Sequence, residues 1–302
     1  MKPIPPPPRA KGSLAATPIL NRRHPRVLTL ISEVRTLPPA PGTGKATAEP
    51  GEPRDAGPAS GEPAIPTAAP GEALDSGPAT DEAVTRVGAA SRVDAPTGGD
   101  VADRGTVADL DILALLATAH RLIATRVRPV YAMNERQPVS MTLALGRGSC
   151  SQRLALLEAV ARGLGTPTRV RGLLVDGRFW NPRFPRLRRL IPRRVVLAWP
   201  EFRLHDRWVP ASELFGDLRD LRSASPFTNT GGETLFDAIA RTAIDWDGVT
   251  CSSCDLSGHV LADLGHFASR DALFDEHGQT LCLPIRVPVD CVMRHRAALV
   301  DT

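Results

Sequence analysis

From 146 to 212 the chain sets one helical pattern directly against three strand patterns, and that order leaves few folds open. Leu154, Leu157, Val160, Ala161 and Leu164 recur at helical spacing, and Gly165 suits the C-terminal cap. Strands are predicted over 168–175, 195–204 and 207–211, with His205 and Asp206 at the turn joining the last two. Upstream, Leu110, Leu113, Leu116, Ala119, Leu122 and Ile123 predict an amphipathic helix over 108–125, and GETLFDAIARTA predicts another over 232–243. The fold class is therefore α+β, with helices packed on an antiparallel sheet.

The first third of the 302 residues has the opposite character. It holds most of the 29 prolines and no aromatic residue, so it has little to bury. Residues 38–100 are low in complexity, and 51–80 repeat a decamer: GEPRDAGPAS, GEPAIPTAAP, GEALDSGPAT. A unit so poor in apolar side chains cannot stack into a solenoid. One island departs from this: Val27, Leu30, Ile31 and Val34 share a helical face, which makes 25–36 either a helix of the main domain or a transient amphipathic segment. The expected organisation is a mostly disordered region over 1–106, a core over 107–215 and an extension packed on the core over 216–302.

A formal charge of +4 and a pI near 9.0 leave no global nucleic-acid footprint. Lysine occurs only at Lys2, Lys11 and Lys45, so arginine supplies the remaining positive charge. No stretch approaches the ~18 apolar residues of a membrane span, and the N-terminus lacks the apolar core of a signal peptide. The five cysteines, Cys150, Cys251, Cys254, Cys282 and Cys291, are too few and odd in number for a secreted disulfide framework. These features point to a cytoplasmic protein without a membrane partner.

Cys150 opens the helix at 150–164, where unpaired backbone N–H groups and the helix dipole favour thiolate over thiol. Gly146, Gly148 and Ser149 leave room for a substrate carbonyl, and the Cys150 N–H suits an oxyanion hole. The succession GSC, amphipathic helix, LGTPTRVRG, LAWPEF and RWVPAS resembles the core of the transglutaminase-like superfamily, which is related to papain-like cysteine enzymes. The resemblance implies that Cys150 stands at the nucleophile position, its thiolate attacking a carboxamide or peptide carbonyl to give a thioester that water or an amine resolves. It also puts Leu197 at the histidine position and Ser212 at the aspartate position, so neither the imidazole nor its orienting carboxylate is there. His205 shares the parity of Leu197 but lies about 26 Å further along an extended strand. His259, His266 and His277 remain as sources of a base.

Glu201, four residues beyond Leu197, and Trp199 are further cleft candidates; a structural strand glutamate and a core aromatic are the simpler alternatives. Residues 178–194 carry seven arginines interleaved with Phe179, Trp180 and Phe184, a segment expected to border the cleft. It suits an acidic protein partner or a substrate carboxylate, while a nucleic-acid partner is disfavoured. Cys251 and Cys254 form a CSSC pair without a second C-x-x-C, so no metal site and no cofactor is expected. Two functions fit: thiol-dependent acyl transfer or amide hydrolysis on a peptide or protein amide, or a catalytically inactive domain that binds a peptide or anion.

Overall fold

The structure, a computed structural model, describes residues 10–38 and 101–290 except 187, 217–226, 231, 243, 250–254, 282–283, 285 and 289. Its central element is α4 (Cys150–Gly163). Ser149 caps this helix: its Oγ accepts from the Gln152 N–H at 3.2 Å, and the Gln152 side chain accepts from the Ser149 N–H at 3.1 Å. Every residue from Ser151 to Arg162 is buried, so α4 is enclosed on all sides and not on one stripe alone.

The sheet packs against α4. Strands β3 (Thr168–Asp176), β4 (Arg194–Leu204), β5 (Arg207–Pro210) and β6 (Val260–Phe267) lie in the order β5-β4-β3-β6, all antiparallel. Leu173 stands opposite Leu197, and Arg169 opposite Glu201. His205 and Asp206 join β4 to β5 with φ of 49° and 56°, the left-handed pair of a tight hairpin turn.

Three helices complete the layer around α4: α1 (Pro25–Thr36), α2 (Val101–Arg126) and α3 (Val139–Leu145). Short strands β1 (Arg128–Pro129) and β2 (Arg147–Gly148) pair in parallel just before the cysteine. Helix α1 buries Val27, Leu30, Ile31 and Val34, the face expected from their spacing, against the other helices. The segment before it is tied in as well. Ser13 exchanges backbone hydrogen bonds with Thr168 at 2.9 and 3.1 Å, and the Val139 N–H donates to the Ile19 carbonyl at 3.0 Å. Gly12 lies so close to Trp208 that a Cβ there would come within 1.9 Å of the ring.

Of the two alternatives left open for 25–36, these contacts favour a helix of the main domain. Residues 10–38 belong to the folded domain, because their apolar face covers one side of α4; the rest of the region expected to be disordered, up to 100, lies outside the described residues. Within the span expected to be an extension packed on the core, β6 pairs directly with β3 as a strand of the same sheet. It leads into α6 (Arg270–His277). The helix expected over 232–243 shortens to α5 (Leu235–Ala238): a Thr234–Asp237 capping box starts it, and the chain goes on in hydrogen-bonded turns, with the Arg241 side chain reaching back to Glu233. No helix among the described residues is long and apolar enough to cross a membrane.

If α1 is part of the core, Leu30→Ala will cost about 2–5 kcal/mol in urea denaturation. Leu28→Ala, on the 49% exposed side of the same helix, will stay within about 0.5 kcal/mol. Equal small effects at both positions would mean that α1 does not pack as described.

Candidate functional site

A cavity of about 760 Å³ opens at the N-terminal end of α4, and Cys150 is part of its wall. The wall comes from the loop 130–135, the first turn of α4, the turn after β3 at 179–184, residues 189–192, the start of β4 and residues 227–235, with Thr280, Leu281 and Pro288. Most of these side chains are aromatic or aliphatic. The 3-10 turn Gly177–Trp180 folds the arginine-rich segment back, so that Phe179, Trp180, Arg183, Phe184 and Arg189 face the cavity. That segment therefore borders the cleft, as its position between helix and strand suggested.

Cys150 occupies the first helical position of α4, where its backbone N–H has no intrahelical partner. Its thiol is nevertheless pushed up to about 12. Burial is the main cause and the nearby Glu135 carboxyl the next, while Arg153 and the Ser151 backbone N–H pull the other way. Cys150 keeps part of its surface open to the cavity, so water entering there tempers the burial. The direction holds because burial is the largest of the causes. The thiolate expected from a helix N-terminus is thus opposed by the environment that the helix is buried in.

Leu197, which the resemblance puts at the histidine position, lies on the wall of the same cavity as Cys150. Ser212 is buried in the 3-10 turn Ala211–Glu213 that follows β5, outside the cavity. Trp199 is 1% exposed and packs edge-to-face on Trp246 at 5.4 Å, away from the cavity lining. Glu201 is also absent from that lining. Its Oε2 accepts from Arg169 Nε at 2.6 Å, and its Oε1 lies 3.1 Å from His266 Nε2. Burial alone would raise this carboxyl, but the hydrogen bonds from His266 and Arg169 hold it below the ordinary carboxylate range.

Among the described residues no histidine lines the cavity. His205 sits in the β4–β5 turn, His259 touches the outer side of Phe179 at 5.4 Å, His266 is taken up by Glu201, and His277 packs on Phe267. His120 on α2 stacks on Phe236 at 4.3 Å, with Nε2 2.6 Å from the Phe236 carbonyl; burial lowers its affinity for a proton. No group of three or more metal-ligating side chains is found among the described residues, and Cys251 and Cys254 lie outside them.

Sequence reasoning missed three polar features of the site. Glu135 comes from an irregular stretch without periodicity; its N–H donates to Gln279 Oε1 at 2.9 Å, and its side chain bonds Ser151. Burial raises this carboxyl, favouring its neutral form. Arg153, 1% exposed, grips Asp237 with both terminal nitrogens, at 3.0 and 2.8 Å, and lies 4.2 Å over the Phe236 ring. Arg270, also 1% exposed, donates to Glu158 Oε1 at 2.5 Å, Ser151 Oγ at 2.8 Å and the Ala198 carbonyl at 3.2 Å. All three depend on partners far away in sequence, so no local signal announces them.

Residues 111–212 match the family model of the transglutaminase-like superfamily. No curated protein and no solved structure matches the chain. The matched span runs from α2 through α4, β3 and β4 to the turn that holds Ser212, so it takes in the cysteine helix and the strand that carries Leu197. With its helices laid on an antiparallel sheet, this chain carries a domain of the transglutaminase-like superfamily.

Proposed function

We propose that the domain binds a ligand in the Cys150 cavity without acyl chemistry, as a transglutaminase-like binding module for a peptide or an anion. The observation that carries this is Leu197 on the wall of the cavity that Cys150 also lines, in the place where the resemblance calls for an imidazole. An alkyl side chain neither takes the thiol proton nor returns it to a leaving group. A thiol raised to about 12 is almost wholly protonated near pH 7 and a poor nucleophile. The apolar wall and the size of the cavity fall within the ~300–1,000 Å³ of ordinary ligand sites.

A second reading, thiol-dependent acyl transfer or amide hydrolysis, draws support from the position of Cys150 at the start of α4. Its backbone N–H has no acceptor among the described residues and is placed to serve an oxyanion.

Alkylation by iodoacetamide, followed at Cys150 by peptide mass spectrometry, separates the two. On the binding reading Cys150 reacts more slowly than free cysteine at every pH from about 5 to 9, with a rate still rising at the upper end. A plateau at or below pH 7 would reveal an activated thiolate and sink it. Position 197 has its own test. An imidazolium at Leu197→His favours the thiolate, so alkylation of Cys150 at pH 7 will rise about tenfold or more. An unchanged rate would show that residue 197 does not face the sulfur.

A further inference from the structure

The cavity is apolar in its walls but unbalanced in charge. Two arginines line it, against the single carboxyl of Glu135. Glu135 is bonded to Ser151 at the cysteine end. Arg183 is committed: Nε donates to Asn229 Oδ1 at 3.1 Å, Nη2 donates to the Glu233 carbonyl, and the guanidinium lies 5.9 Å from the Tyr131 ring. Arg189 differs. It makes no hydrogen bond and no ion pair with any described residue, although it borders the cavity. In the same segment Arg186, Arg193 and Arg194 also have no carboxylate within salt-bridge distance among the described residues.

An unpaired guanidinium at the edge of an apolar cavity selects a ligand with an anionic head and an apolar body. The planar fork of arginine matches a carboxylate in two hydrogen bonds, while Phe179, Trp180, Phe184 and Ile191 cover the apolar part. Resting on the binding reading above, we propose that the ligand is a small amphipathic carboxylate, its apolar body in the Cys150 cavity and its carboxylate on Arg189. The protonated thiol suits the apolar body at that end, because seating an alkyl group there buries no charge.

Decanoate, decanol and decylamine, each kept below its micelle-forming concentration, serve as probes of the full chain. Binding is measured by calorimetry and by protection of Cys150 from iodoacetamide at pH 9, which locates the ligand. Decanoate is expected to bind about tenfold or more tightly than decanol, decylamine no better than decanol, and both decanoate and decanol to protect Cys150. Arg189→Gln should bring decanoate down to the affinity of decanol and leave decanol unchanged. Arg188→Gln, which removes the same charge from a neighbour whose Nε donates to the Pro185 carbonyl at 3.0 Å, should leave the preference for decanoate intact. Equal binding of decanoate and decanol, or equal losses in the two variants, would overturn the assignment of Arg189 while leaving a ligand cavity. Failure of both decanoate and decanol to bind or protect would overturn the amphipathic-carboxylate proposal, whereas the binding reading is tested separately by the alkylation profile of Cys150.

Discussion

The guanidinium of Arg270 holds the site together. It binds Glu158 in the middle of α4, Ser151 in its first turn and the Ala198 carbonyl on β4. Ser151 follows Cys150 and Ala198 follows Leu197, so one side chain fixes the thiol relative to the wall that faces it. Glu158 has no exposed surface, and its Oε2 has no hydrogen-bond partner among the described residues. Burial raises this carboxyl, and Arg270 is the first of the charges that oppose the rise. Taking away one partner of such a pair leaves an uncompensated buried charge, which typically costs about 3–5 kcal/mol. The pair therefore serves geometry more than net stability.

The same burial that secures α4 decides the state of Cys150. A helix N-terminus favours a nearby anion by about 0.3–1 kcal/mol, and by ~2 in the best partly buried cases. Raising the thiol from its ordinary 9.0 to about 12 corresponds to about 4 kcal/mol against the thiolate. Enclosure by apolar walls outweighs the helix end. An imidazolium would tip the balance back, and at position 197 there is a leucine. The start of α4 is thus a setting in which Cys150 keeps its proton.

Much of this fold is legible in the sequence because it rests on local periodicity. The faces of α1 and α4, strands β3 to β5 and the His205–Asp206 turn all follow from spacing that one pass along the chain reveals. What escapes is set by partners distant in sequence. Strand β6 mixes Gly265, His266 and Asp263, whose Oδ1 accepts from the Gly265 N–H, its register with β3 shifts twice, and only that pairing makes it a strand. Arg153, Glu158 and Arg162 look like an ordinary solvated set on a helix, yet each is buried against a partner from another segment. Glu135, the strongest electrostatic neighbour of Cys150, lies in a loop whose sequence gives no hint of where it folds.

In the cavity at the start of α4, Cys150 is held as a protonated thiol. Thiolate absorbance near 240 nm, taken as the difference between the wild type and Cys150→Ser from pH 6 to 11, reads this state directly. The account predicts no Cys150 signal below pH 9 and a titration still incomplete at pH 11. A titration complete by pH 7 would contradict it and restore Cys150 as an activated nucleophile.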